Sequence, residues 1–278
     1  MPSYDTAGPI TAVLEFEVGE VRLTAGKRGD TVVEVLPSNG ADDADVRAAQ
    51  QTKVAYADGT LTLKGPKKRS LFGRSGSIDV IIELPAGSHL RATSPMGDYT
   101  GEGPLGECRI KTSLGDIRLD EASTVNLRTE HGHIRVDRAV GDADVRGAGR
   151  VDFGEIVGAA TIRNGNGETE IDEITGELKV NSSNGRITVG TAHASVAAKS
   201  ANGTISVRQV ARGVIDLHTA VGDVEVGIRE STAAWLDVGC KLGTVRNELG
   251  AAEGPDAAEE TVEIHARTGI GDIVIRRA

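Results

Sequence analysis

The chain has 278 residues, a net charge of -10 and an isoelectric point near 5.2. A field of that sign repels phosphate, which argues against general affinity for nucleic acid or an anionic membrane surface. Only 3% of residues are aromatic while 36 are glycine, so the expected core is narrow and built from many short strands.

Met1-Pro2-Ser3-Tyr4-Asp5 lacks a basic stretch followed by an apolar one, so no secretory signal is expected and the cytoplasm is the expected location. No apolar run approaches the ~20 residues of a membrane span. From the N-terminus to about residue 88, period-two alternation predicts strands at Ala12 to Glu17, Val21 to Leu23, Thr31 to Leu36, Val54 to Tyr56, Leu61 to Leu63 and Ile78 to Leu84. Asp43 to Gln51 reads as a short helix. Residues 1–88 are expected to be a β-rich cap over residues 89–278, a repeat region whose open end needs cover.

The repeat region is announced by its glycines. Those at 97, 115, 132, 149, 167, 185, 203 and 222 are 17 to 19 residues apart. Each opens a strand of the type Asn184-Gly185-Arg186-Ile187-Thr188-Val189 or Val221-Gly222-Asp223-Val224-Glu225-Val226. A second apolar pair precedes each glycine by seven and five residues, as with Cys108 and Ile110 or Leu178 and Val180. A fixed period of this length means supersecondary units that bury their core only by stacking. The expected fold class is therefore all-β: a β-solenoid of about nine two-strand coils with a β-rich N-terminal cap. An antiparallel meander is the alternative, because Asn-Gly turns also close hairpins.

Two details depart from the pattern. Around Gly149 the aligned places fall on Asp142 and Asp144, with Val145 shifted by one, which predicts a changed loop length. Towards the end the spacing widens to 21 before Gly243 and 28 before Gly271. Consecutive coils are still expected to stack in sequence order, with Arg276-Arg277-Ala278 as the terminal cap. On that basis Cys108 and Cys240 lie seven repeat steps apart, about 30 Å at ~4.8 Å per step. That exceeds the roughly 7 Å that a disulfide spans, so both are read as free thiols.

Three stretches extend the pattern: Thr31-Val32-Val33-Glu34-Val35 with Pro37, then Ile82-Glu83-Leu84-Pro85-Ala86-Gly87-Ser88, then Ala266-Arg267-Thr268-Gly269-Ile270-Gly271-Asp272-Ile273. Together with the Gly-Asp-Ile repeats, they resemble the bacterial, actinobacterial-type β-strand-repeat family labelled adhesins, of unknown function. The resemblance covers nearly the whole chain. It implies a stacked β fold without known catalytic residues, and a link to cell-envelope stress systems beside membrane components.

No reactive constellation emerges from the residues. His131-Gly132-His133, with Asp116 one repeat earlier, is the nearest approach to a metal site, but Arg150 on the other side opposes a cation. Neither a metal nor a cofactor is expected. Gly165-Asn166-Gly167 is followed by a strand, where a dinucleotide loop requires a helix. The one basic cluster along the sequence is Lys64-Gly65-Pro66-Lys67-Lys68-Arg69-Ser70-Leu71-Phe72-Gly73-Arg74. Its loop-forming residues read as a solvated hairpin loop. In the functional alternative, Lys67, Lys68, Arg69, Phe72 and Arg74 contact an acidic partner or lipid head groups.

Two functions stand against each other. The first is a non-enzymatic scaffold or interaction protein, monomeric or a small oligomer, with a protein partner. The second is a carbohydrate-active enzyme or carbohydrate-binding β-helix, in which outward carboxylates such as Asp116, Asp120, Glu121 and Asp137 line a groove. The scarcity of aromatic platforms weighs against the second.

Overall fold

The computed structural model describes residues 2–66, 75–250 and 260–278. It is all-β apart from the helix Asp43–Gln51, and it divides into two compact units, Met1–Ala139 and Val140–Ala278.

In the second unit, like positions of successive repeats stack in parallel. Ile187 faces Ile205, and Ile205 faces Val224. One strand of each coil supplies Val189, Val207 and Val226 to a second ladder, and all six side chains are buried. The other strand supplies Leu178, Val196 and Ile215, with Val180, Ala198 and Leu217 beside them. Alternation puts one set of residues inside and the next outside; parallel stacking repeats that set from coil to coil. The solenoid is thus established and the meander is not. The Asn-Gly turns are its corners: Asn202 Nδ2 donates to Asn184 Oδ1 at 2.9 Å, and Asn184 Nδ2 to Asn166 Oδ1 at 2.8 Å.

The corner explains the Gly-Asp signature. Gly203 has φ +152°, and a Cβ there would sit 2.1 Å from the Gly185 carbonyl oxygen. Successive corners approach so closely that no side chain fits between them. The following aspartate carries the bonding onward: Asp98 Oδ1 accepts the N–H of Asp116 at 2.8 Å, and Asp116 Oδ1 that of His133 at 2.8 Å. Just inside the corner stand buried polar residues three places before the glycine. Thr129 donates to the Gly115 carbonyl at 3.1 Å, Thr219 to that of Gly203 at 2.9 Å and Thr268 to that of Gly222 at 2.8 Å. Carbonyls that would be orphaned at a buried bend are satisfied this way.

The repeat around Gly149 is shorter by one residue ahead of the corner. Ala143 and Val145 take the inward places, facing Ala160 and Ile162, which is why Asp142 and Asp144 occupy the positions counted from the glycine.

The order of the last coils corrects the sequence expectation. Gly213–Val221 pairs with Glu260–Ile270, and Val224–Ile228 pairs with Ile273–Arg277. Thr232–Leu242 and Val245–Asn247 pair on the far side of that C-terminal coil. The chain runs past one coil position, then returns to fill it. Arg276-Arg277-Ala278 is consequently no terminal cap: the Ala278 N–H donates to the Ile228 carbonyl at 3.0 Å inside the stack. The outer coil leaves Trp235, Leu242 and Val245 exposed.

The first unit shows the same device at its N-terminal end. Thr11–Glu15 lies between Thr60–Lys64 and the start of His89–Leu114, parallel to both. Val18–Gly26 lies between Ser77–Pro85 and a later part of the same His89–Leu114 strand. Outside these, Lys53–Ala57 pairs antiparallel with Thr60–Lys64, and Asp30–Pro37 with Ser77–Pro85. The helix packs on that outer layer. Its Asp42 side chain caps the N-terminus by accepting the Ala44 N–H at 2.8 Å. Buried Asp45 accepts the N–H of Ser77 at 2.8 Å. Phe16 and Tyr99 meet in the core with centroids 6.0 Å apart, and the Tyr99 hydroxyl bonds Ser94 at 2.8 Å.

Candidate interaction face

At several outward positions charge is cancelled between residues two apart. Arg22 meets Glu20 at 2.8 Å, Arg118 meets Asp116 at 3.3 Å, Arg135 meets Asp137 at 3.0 Å and Arg150 meets Asp152 at 2.8 Å. Residues two apart share a face of a strand, so these pairs are built into the alternation.

One sheet of the first unit gathers several cations without such a pair. Its outward positions carry Lys53, Lys64, Arg91, Arg109, Lys111 and Arg128, opposed by Glu15, Glu107 and Glu130. Strand register assembles them from distant sequence. Lys53 faces Lys64, Lys64 faces Glu15, Glu15 faces Thr93, and Lys111 faces Arg128. Lys53, Lys64, Lys111 and Arg128 have no carboxylate partner among the described residues. Glu107 serves Arg109 at 2.6 Å and Arg91 at 3.7 Å. The Arg109 hydrogen bond, helped by the charges of Arg109 and Arg91, holds the Glu107 carboxyl below its usual range. The other sheet of this unit is acidic, with Glu20, Asp79, Asp98, Glu102, Asp116 and Asp120 among its outward residues.

A groove of about 330 Å³ crosses the basic sheet. It is lined by three successive residues from each of three coils, Val13 to Glu15, Arg91 to Thr93 and Arg109 to Lys111, and by Asn126 and Arg128 from a fourth. The middle residues Leu14, Ala92 and Ile110 point into the core, so backbone forms the floor. Glu15, Thr93, Lys111 and Arg128 form one wall, and Val13, Arg91, Arg109 and Asn126 the other. Arg128 is half-buried, and its Nε–H is shielded from solvent without an acceptor.

The second unit has a groove of similar size, about 320 Å³, with Arg186, Arg208 and Arg276 around Thr188, Thr204 and Ser206. Asp223 and Glu225 also line it, so its field is mixed. The basic groove of the first unit is the stronger candidate.

Lys67, Lys68, Arg69, Phe72 and Arg74 lie outside the described residues. The proposed groove carboxylates are engaged separately: Asp116 by the His133 N–H, Asp120 by the Gly103 N–H at 3.1 Å, Glu121 by Arg138 at 3.5 Å and Asp137 by Arg135. The described aromatic rings of the unit lie in the core, as Phe16 and Tyr99 do, or at its edge, where Tyr4 meets Tyr56 at 5.3 Å. Among the described residues no three metal-ligating side chains come together. Cys108 and Cys240 are both free thiols, and burial pushes the Cys108 thiol up to about 12.

The profile of the Toastrack DUF4097 family matches residues 13–270. The chain belongs to that family. Similar solved structures include one from Parabacteroides distasonis described as a "putative lipid binding protein", 12% identical, covering 100% of this chain and 95% of that one, with a TM-score of 0.45. Another, from Bacteroides fragilis, is described as a "putative adhesin"; it is 14% identical, with 99% and 95% covered and a TM-score of 0.37. No functionally curated protein matches the chain significantly in sequence. Among the described residues no helix is long and apolar enough to cross a membrane.

Proposed function

We propose that this Toastrack chain is a non-enzymatic β-repeat interaction scaffold, and that its working surface is the basic sheet of the first unit, which receives an anionic partner. The observation that supports this is the set of cations without a carboxylate partner among the described residues, Lys53, Lys64, Lys111 and Arg128, gathered on one sheet of a chain whose net charge is -10. Arg163, Lys179 and Lys199 of the second unit also lack a carboxylate partner among the described residues, but in the first unit such cations line a groove. Electrostatic complementarity of this kind steers encounter and sets orientation. The partner's place is the bacterial cell envelope and its stress response, in keeping with the family resemblance, and the chain meets it from the cytoplasmic side, in keeping with two free thiols.

The test is retention on a carboxylate-bearing matrix at neutral pH and low salt. A chain of this net charge is expected to pass through unless a local basic face holds it. Wild type is expected to be retained and released by salt, and Lys111→Glu/Arg128→Glu to flow through. Equal flow-through of both proteins overturns the reading. Turnover of a polysaccharide by the purified chain would replace it with the enzymatic one.

A further inference from the structure

We infer that the chain forms a homodimer through the outer coil of its second unit: strand Thr232–Leu242 pairs antiparallel with the same strand of a second copy, about a two-fold axis at Gly239. This surface is separate from the basic sheet of the first unit.

Thr232–Leu242 pairs with Glu260–Ile270 on one side, and among the described residues no strand pairs with it on the other. The layer it ends is apolar. Leu236, Val238 and Cys240 stack on Ile264, Ala266 and Thr268, yet they are half-exposed where those three are buried. An unpaired edge of 11 residues beside an open core is a template for another chain. The first unit closes such an edge with antiparallel strands, Lys53–Ala57 on Thr60–Lys64 and Asp30–Pro37 on Ser77–Pro85. The second unit supplies no strand of that kind among its described residues, and a second copy can.

The edge itself selects a second copy and a register. The Leu242 carbonyl accepts the Gly271 N–H at 2.9 Å, into the stack. Backbone groups alternate in direction along a strand. Leu236, Val238 and Cys240 therefore bond inward with Leu242, while Trp235, Asp237, Gly239 and Lys241 turn their N–H and C=O to the open side. Two copies related about Gly239 oppose these free groups to one another and set Asp237 directly opposite Lys241, twice. Registers about Asp237 or Lys241 put like charges face to face, and those about Val238 or Cys240 set each charge opposite an uncharged residue. The Gly239 register also puts Leu236 opposite Leu242 and Val238 opposite Cys240, which carries the apolar layer across the axis. The exposed Trp235 falls against the partner's Gly243 corner, where no side chain blocks it. Lys241 has no carboxylate partner among the described residues. Arg267 holds Asp237 Oδ1 at 2.5 Å, while Oδ2 stands 3.6 Å from His265 Nδ1, so one carboxylate oxygen is open to the lysine. Arg267 also donates to the Asp237 carbonyl at 2.6 Å; the second lone pair of that oxygen serves the partner's N–H. A two-fold contact consumes the edge on both copies, so assembly stops at the dimer.

The experiment is sedimentation equilibrium of the full chain over a range of concentrations. Wild type is expected to reach twice the 28.9 kDa chain mass. Lys241→Glu, which sets carboxylates opposite each other at both ends of the contact, is expected to raise the dissociation constant roughly tenfold or more. Cross-linking in a Cys240→Ser background reads the register. Gly239→Cys is expected to give a disulfide-linked dimer on oxidation. Directly opposed residues of a hydrogen-bonded pair lie ~5.5 Å apart, within disulfide range, and a Cβ at 239 meets nothing closer than 3.9 Å. Lys241→Cys is expected to give none, because its two copies are staggered by four residues, about 13 Å. In wild type, alkylation of Cys240 should slow as the protein is concentrated, since pairing covers that thiol. A monomer at every concentration overturns the inference. So does an open-ended polymer, a dimer indifferent to Lys241→Glu, or cross-linking through 241 instead of 239. Thermal melting checks that each variant is folded; if Lys241→Glu is not, the wild-type mass and the cross-link at 239 still decide.

Discussion

The Asp223 carboxylate accepts the backbone N–H of Asp272 at 2.8 Å across 49 residues of sequence. The same staple then runs backwards along the chain, from Asp272 to the N–H of Thr244 at 2.8 Å. The two bonds fix the C-terminal coil between coils that precede it in sequence. Repeat arrays fray from their ends, because a terminal coil has one neighbour instead of two. Here the last residues of the chain are not the last coil of the stack.

Side chains of the C-terminal coil should therefore matter more than those of the coil before it. Ile264 is fully buried, while its stacked neighbour Leu236 is half-exposed on the outer coil. Ile264→Ala is expected to cost about 2–5 kcal/mol, and Leu236→Ala about 1 kcal/mol. Urea denaturation of the two variants measures both. A larger loss for Leu236→Ala would mean that the coils stack in sequence order.

The inward ladder makes a sharper contrast between adjacent residues. Ile205 sits between Ile187 and Val224 at zero exposure, whereas Ser206 points outward toward Glu225 at 3.3 Å. Ile205→Ala should lose about 2–5 kcal/mol through burial and cavity terms, and Ser206→Ala about 0.5 kcal/mol or less. Gly203→Val should be at least as damaging as Ile205→Ala, because its Cβ would meet the Gly185 carbonyl. Equal melting shifts for Ile205→Ala and Ser206→Ala would show the register to be wrong.

Both ladders were legible in the sequence because burial imposes a period, and a period survives in one sequence without any partner to compare. The helix at Asp43–Gln51 was legible for a similar local reason. Coil order was not. Inserting the C-terminal coil ahead of the one before it leaves every inward residue inward, so the apolar pattern is silent about it. The basic groove was hidden differently. Arg91, Arg109, Lys111 and Arg128 are scattered along the sequence and become neighbours only through the register. Tabulating the residues between the inward positions, rather than the inward positions themselves, is the signal that finds them. The buried Thr129, Thr219 and Thr268 column stood in plain repeat, three residues before each glycine, but apolar alignment passes over hydroxyls.

Burial of Cys108 gives a prediction on the alkaline side. The folded thiol keeps its proton up to about 12, against an ordinary value of 9.0, because desolvation disfavours the thiolate and the Glu107 charge adds to it. The unfolded chain ionises first. Stability from the neutral thiol is thus fully present below about pH 9 and declines between there and about pH 12. Cys108→Ala is expected to flatten that decline. In native protein at pH 8, iodoacetamide should label the half-exposed Cys240 and spare Cys108. Rapid labelling of both would contradict the burial.

On the acid side the sign reverses. Glu107 is held below its usual range by the Arg109 hydrogen bond first, then by the charges of Arg109, Arg91 and His89. The folded state binds a proton there less readily than the unfolded chain, so the stabilisation is present above the unfolded carboxyl value and is lost as pH falls through the depressed one. Glu107 is exposed enough for solvent to screen the pair, so the loss should be shallow rather than an abrupt transition. NMR titration of the Glu107 carboxyl carbon in wild type and Arg109→Gln measures it directly. The variant's midpoint should move up, toward the ordinary carboxylate range, and the acid limb of its stability curve should start at higher pH. An unmoved midpoint would mean that Arg109 is not bound to Glu107 in solution, and that one more guanidinium of the basic groove is free.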